Sequence, residues 1–161
     1  MNKCERHLKI GLDYHGVINS NQEYFCKFCN EAIKRGHQIH ILTGGPRAIV
    51  AKQLCKAHVQ YTNLFTIVDY YRQKGQAVCM PDGEWFVDEE LWNRAKAIYC
   101  QTHKIDIQID DSLVYGEYFK TPYCLYNANR QICTILATGK EIALNEICPL
   151  DTLIQLEKNC P

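Results

Sequence analysis

Three short stretches constrain the fold of this chain more than anything else in it. Each is an apolar or alternating run that stops on small or acidic residues. The first is Lys9-Ile10-Gly11-Leu12-Asp13-Tyr14-His15-Gly16-Val17-Ile18. The second is Ile39-His40-Ile41-Leu42-Thr43-Gly44-Gly45, and the third is Ile105-Asp106-Ile107-Gln108-Ile109-Asp110-Asp111-Ser112. A buried strand that delivers a polar side chain to the carboxyl edge of a sheet reads this way. In open parallel sheets that edge is where ligands collect.

Helical periodicity fills the intervals. Tyr24-Phe25, Phe28-Cys29, Ala32 and Ile33 predict a helix from about Gln22 to Arg35, closed by Gly36. A strand over His37 to Leu42 follows. The loop Thr43-Gly44-Gly45-Pro46 then opens a helix with Ile49, Val50, Leu54 and Cys55 facing inward. Leu64, Ile67, Val68 and Tyr71 predict a further helix over Asn63 to Gln73. Gln76 to Met80 reads as a short third strand before the Pro81-Asp82-Gly83 turn. Asp88 suits the N-cap of a helix through His103, with Leu91, Trp92, Ala95, Tyr99 and Cys100 as its buried stripe. Ile105 to Asp110 and Tyr123 to Tyr126 predict the fourth and fifth strands. Ile132 to Leu136 and Glu141 to Leu144, around Gly139, predict a C-terminal β-hairpin, and Leu150 to Lys158 a closing helix. The alternation predicts an α/β fold: one domain over residues 1–161, a Rossmann-like three-layer sandwich around a mostly parallel sheet.

Charge and length narrow the function. The 18 basic and 18 acidic residues leave a formal net charge of zero, with no block of one sign. A nucleic-acid partner is therefore not expected. No apolar run reaches the roughly 18 residues of a membrane span, and Met1-Asn2-Lys3-Cys4-Glu5 does not begin a signal peptide. The expectation is a soluble, cytoplasmic protein without a membrane partner. A chain of 161 residues buries roughly 70% of its unfolded surface and needs no covalent staples. Its ten cysteines, spread through apolar segments, are expected to be mostly reduced core residues. Cys26 and Cys29 form the one C-x-x-C, inside a helical pattern and without a second pair at zinc spacing. Cys29 to Arg35 spells C-x5-R but lacks the glycines that curl a phosphate loop.

The strand ends share a chemistry. Asp13, Asp110 and Asp111 would crowd three carboxylates into one crevice, a costly arrangement unless a hard divalent cation neutralises it. Magnesium suits such oxygen ligands. Thr43, with the backbone N–H groups of Gly44 and Gly45 at a helix start, supplies an anion cradle. A carboxylate nucleophile, magnesium and a phosphate cradle together describe phosphoryl transfer through an aspartyl-phosphate.

This combination resembles the haloacid dehalogenase-like superfamily, over residues 8 to about 115. The resemblance rests on Asp13-Tyr14-His15-Gly16-Val17, then the apolar run ending at Thr43, then a lysine, then Asp110-Asp111. It implies that Asp13 is nucleophile and metal ligand, and that the His15 backbone carbonyl binds the same Mg2+. Thr43 would hold the transferring phosphate, with Gly44 beside it, and one acid of the Asp110-Asp111 pair would bind the metal. A lysine would steady nucleophile and phosphate. Lys96 is the choice, because helical spacing from Trp92 and Tyr99 turns it toward the apolar face; Lys74 and Lys104 compete, and a Lys96 that snorkels from the helix edge is the alternative.

One residue departs from that family. Its phosphatases usually carry a second Asp at the position of His15. Histidine can exchange protons near neutral pH, so His15 is the expected acid–base residue; slow turnover, a different substrate or lost activity fit the substitution as well. Two readings stay open: a magnesium-dependent phosphohydrolase acting on a phosphorylated substrate, and a catalytically weak relative that binds a phosphorylated ligand or a protein. Short loops leave no room for a large cap after the first strand, so an open site would need a second subunit or a bulky substrate to exclude water. His40 and Asp106 read as a packed histidine and a solvent-facing acid.

Overall fold

The computed structural model describes residues 6–144 and 148–160. In chain order its elements are β1 (Lys9–Leu12), a 3-10 turn (Ile18–Ser20), α1 (Gln22–Lys34), β2 (Gln38–Thr43), α2 (Arg47–Lys56), β3 (Asn63–Thr66) and α3 (Ile67–Gln73). Then come β4 (Ala77–Cys79), β5 (Trp85–Val87), α4 (Glu89–His103), β6 (Ile107–Asp110) and α5 (Leu113–Gly116). The chain closes with β7 (Tyr123–Asn127), β8 (Ile132–Ile135), β9 (Glu141–Ala143) and α6 (Pro149–Asn159).

Seven strands form one sheet in the order β3-β2-β1-β6-β7-β8-β9. The pairs from β3 through β7 are parallel, whereas β8 and β9 run antiparallel as the expected C-terminal hairpin. Strand order reverses direction between β1 and β6. Connections on the two sides of that point leave in opposite directions, which opens a crevice at the carboxyl ends of these strands.

Alternation along the strands sorts the core into two layers. Ile10, Leu12, Ile39, Ile41, Ile107 and Ile109 point toward α1, α2 and α6, where Phe25, Phe28, Leu54, Leu153 and Leu156 pack against them. Leu42, Phe65 and Ile105 point the other way, onto Tyr71 of α3 and Ala95 and Cys100 of α4. The result is the three-layer α/β sandwich expected. No helix of the described residues is long and apolar enough to cross a membrane. The nine described cysteines are free thiols, and five of them are buried.

Two expectations need correction. Asn63–Gln73 is not one helix: Asn63–Thr66 is a strand paired with His40–Thr43, and the helix begins only at Ile67. The spacing of Leu64, Ile67, Val68 and Tyr71 fits a helix, but the open edge of β2 offers the backbone of Asn63–Thr66 a parallel ladder instead. The strand expected over Gln76–Met80 is reduced to Ala77–Cys79 and lies outside the main sheet, pairing only with β5 in a two-stranded ribbon. Its Ala77 and Val87 face the α3–α4 layer while Val78 and Phe86 point outward. Asp106 also differs from a free solvent-facing acid. Its carboxylate accepts the Lys9 N–H at 2.7 Å and pairs with Arg6, tying the start of β1 to the start of β6.

Candidate functional site

β1 places Asp13 one residue past its last paired position, and β6 ends on Asp110. The Asp13 N–H still donates to Ile109 O at 2.9 Å, so the two strand ends are locked in register when the side chains diverge from the ladder. Asp13 is buried and Asp110 wholly so, whereas Asp111 is exposed. One carboxylate oxygen from each of the three lies within 4.8 Å of the others. Gly16 makes this approach possible. It sits at φ +81°, and a Cβ there would lie 2.0 Å from Asp111 Oδ2, so a side chain would push Asp111 out of the cluster.

Lys96 stands between the buried acids. Its Nζ is 2.9 Å from Asp13 Oδ2 and 2.8 Å from Asp110 Oδ2, with the side chain 3% exposed. Burial works against its charge, but Asp13 and Asp110 outweigh it and hold the ammonium pKa above the ordinary lysine value. The alternative that Lys96 snorkels from the helix edge is therefore wrong. Lys74 lies instead over the Tyr70 ring, and Lys104 caps the end of α4 in a left-handed conformation. The N-terminus of α4 is set by Asp88, whose carboxylate accepts the Glu90 and Leu91 N–H groups; that start point turns Lys96 inward two turns later.

One cation does not satisfy three anions. Burial, and then the charges of Asp110 and Asp111, push the Asp13 carboxyl up to about 7 despite the opposing pull of Lys96. Burial and Asp110 raise the pKa of Asp111 as well. A close set of hard oxygen donors in which protons are held abnormally tightly is the donor chemistry a small divalent cation takes. Magnesium would be held by Asp13, Asp110 or Asp111, with the His15 carbonyl as the neutral ligand the resemblance implies. Accordingly, calorimetry is expected to register one magnesium site in the wild type and at least about tenfold weaker binding in Asp110→Asn. Equal binding by the two proteins removes Asp110 from the ligand set.

Thr43, at the end of β2, is fully buried, and its Oγ1 shares a 2.9 Å hydrogen bond with His15 Nδ1. Loss of water around the ring and then the Lys96 charge lower the His15 pKa, with Asp111 pulling the other way. The hydroxyl expected to hold phosphate is thus engaged by the histidine expected to move the proton. An incoming oxyanion has to share or displace that contact.

Gly44 packs face to face with Trp92: a Cβ there would come within 2.9 Å of the indole ring. The start of α2 lies further on, at Arg47, and its N–H is already taken by Asp69 Oδ2 at 2.8 Å. Asp69 also accepts the Thr66 hydroxyl at 2.7 Å. This carboxylate occupies the first N–H of α2, beyond the Gly44 and Gly45 N–H groups expected to form the anion cradle.

Sequence reasoning missed three supporting residues. Gln108 is fully buried beside Gly11, its register partner, and its Nε2 donates to Asp110 Oδ2 at 3.3 Å. A Cβ on Gly11 would fall 2.0 Å from Gln108 Oε1, which explains a glycine in the middle of a core strand. The ring of Tyr115 lies 4.8 Å from Lys96 Nζ and its hydroxyl accepts from Trp92 Nε1 at 2.9 Å. A polar residue inside an apolar strand was the available signal for Gln108; nothing in the sequence marks Tyr115 or Asp69.

No family model matches the chain, and neither does any curated protein. Among solved structures, a glycosyltransferase from Rickettsia africae ESF-5 is similar with a TM-score of 0.41 at 11% identity. The likeness covers 76% of this chain and 31% of that one.

Proposed function

We propose that this protein is a magnesium-dependent phosphohydrolase of the haloacid dehalogenase-like type, acting through an aspartyl-phosphate on Asp13. The observation that carries the reading is Lys96, whose ammonium bridges Asp13 and Asp110 at 2.9 and 2.8 Å with Asp111 alongside. A buried lysine paired with two strand-end carboxylates at the sheet's switch point supports the reading of Lys96 as the residue that steadies nucleophile and phosphate.

In this mechanism an Asp13 carboxylate oxygen attacks phosphorus, and the bond from phosphorus to the leaving oxygen breaks with its electron pair. Protonated His15 gives that oxygen its proton. Neutral His15 then takes a proton from water as the water oxygen attacks phosphorus and the bond to Asp13 breaks. Orthophosphate leaves, and Asp13 and His15 are restored. Magnesium, when bound, neutralises carboxylate and phosphoryl oxygen charge. Lys96 keeps Asp13 oriented, and Tyr14 N–H, which donates to Asp13 Oδ1 at 2.7 Å, fixes the carboxylate plane.

A second reading has its own support. The His15–Thr43 hydrogen bond occupies the phosphate handle, and His15 replaces the acid usual in the family's phosphatases. A protein that binds a phosphorylated ligand without turning it over fits those facts. The deciding experiment assays wild type, His15→Ala and His15→Asp on a panel of phosphomonoesters, with magnesium and with chelator, across pH 5 to 8. Since the lowered His15 pKa makes its donor form scarce at neutral pH, wild-type turnover with magnesium is expected to rise as pH falls toward about 6, until protonation of Asp13, itself raised to about 7 without metal, removes the nucleophile. His15→Ala should lose about 100-fold, and His15→Asp should restore turnover. Inactivity of all three proteins on every ester favours the binding reading.

A further inference from the structure

Beside the acid cluster, one face of β7 and β8 stays part-exposed: Leu125, Ile132 and Thr134 are half-buried and Asn127 is exposed. Cys124, Tyr126, Cys133 and Ile135 of β7 and β8 point into the α1-side core. Leu125, Asn127, Ile132 and Thr134 must therefore point to the other face, where they stand opposite one another in register as Leu125–Thr134 and Asn127–Ile132. Asp110 is the register partner of Leu125 on the neighbouring strand, so the same face continues into the site. These residues, with Leu113, line a groove of about 370 Å³ whose near wall is Gly16 and Asp111 and whose rim carries Arg130. Glu141 holds the Arg130 guanidinium through both nitrogens, at 3.3 and 3.5 Å.

We propose that this groove receives the non-phosphate part of the substrate, and that the substrate is a small phosphomonoester with an apolar, flat or aliphatic body ending in a hydrogen-bond acceptor. The proposal rests on the phosphohydrolase reading and assigns its substrate class. Continuity carries it first, because the groove shares Asp111 and Gly16 with the acid cluster. A body placed there stays attached to a phosphate at Asp13. Size comes next. The volume equals that of on the order of ten water molecules, which suits a ring or short chain and is too small for a protein side of an interface.

Lining chemistry then selects the class. Leu113, Leu125 and Ile132 offer dispersion and no hydrogen bonds. A polyol laid on them would lose water from its hydroxyls without replacement. A guanidinium has five donors, so its pairing with Glu141 leaves others for an acceptor at the far end of the ligand. Asn127 and Thr134 add amide and hydroxyl groups along the way.

The test uses acetyl phosphate, too short to reach the groove, with phenyl phosphate, 4-carboxyphenyl phosphate and a hexose 6-phosphate. Wild type should prefer the carboxyphenyl ester, then the phenyl ester, and use the hexose ester least. Arg130→Ala, at an exposed position, should lower kcat/KM about tenfold for the carboxyphenyl ester alone. Thr134→Trp fills the groove and should raise KM at least about tenfold for both aryl esters while acetyl phosphate turnover stays unchanged. Aryl esters handled alike by both variants and wild type, with acetyl phosphate turnover intact, overturn the groove assignment and leave the site reading standing. Absence of magnesium-dependent acetyl phosphate turnover overturns the site reading instead. Calorimetry of the carboxyphenyl ester against wild type and Thr134→Trp then decides the groove: weaker binding by the variant supports it, and equal or absent binding ends it.

Discussion

Lys96→Met is expected to cost about 3–5 kcal/mol of stability in metal-free buffer, the scale for removing one partner from a buried ion pair. Methionine fills the same space, so the loss is electrostatic. It strips the cation from Asp13 and Asp110, both buried, while the third acid remains beside them. The pH dependence identifies the cause. In the folded wild type the Asp13 pKa is already raised from 3.8 to about 7, with Lys96 restraining it. A carboxyl whose folded pKa exceeds its unfolded one contributes stability below the unfolded value and loses it as pH rises through the folded value. Without Lys96 the folded value climbs further, so the loss extends to higher pH. Urea midpoints in chelator should differ least near pH 5 and most near pH 8, and magnesium should narrow the gap. A constant gap below about 1 kcal/mol would show that Lys96 does not neutralise the cluster.

Asp13→Asn should abolish turnover, with a loss of roughly 10³-fold or more, the scale on which a missing nucleophile registers. The change is conservative for the fold. Asparagine keeps an oxygen for the Tyr14 N–H, which now donates to Asp13 Oδ1, and Lys96 keeps Asp110. With charge repulsion relieved, the variant should be no less stable than wild type in chelator. Beryllofluoride with magnesium should raise the melting temperature of wild type, as a mimic of the phosphorylated carboxylate, and should leave Asp13→Asn unmoved. Retained activity in the variant rules out the covalent route through Asp13.

How much of this was legible beforehand follows from the range of the interactions concerned. Strand ends could be read because burial on both faces makes a parallel strand apolar throughout, so Asp13, Thr43 and Asp110 interrupt the pattern as buried polar residues at the strand ends. Lys96 could be read because a helix fixes its own faces, and Trp92 and Tyr99 marked the inward one. Asp88 could be read as a cap because its acceptor serves N–H groups two and three residues away.

Beyond that local range the sequence by itself decided little. Asn63–Thr66 obeys helical spacing, yet the free edge of β2 made it a strand; pairing with a distant segment outweighed local preference. The distances from Lys96 to its two acids, the approach of Asp111 over Gly16, and the packing of Gln108 against Gly11 depend on residues up to about a hundred positions apart. So does the reach of Asp69, in the first turn of α3, back to the Arg47 N–H at the start of α2. His15 on the Thr43 hydroxyl belongs to the same class, as does the part-exposed face of β7 and β8. Composition and periodicity determined an α/β sheet with acids at its carboxyl edge, because apolar burial repeats along the chain at fixed intervals. Only the tertiary structure decided which of those polar groups meet, because that is set by strand order, and strand order is a property of the whole fold.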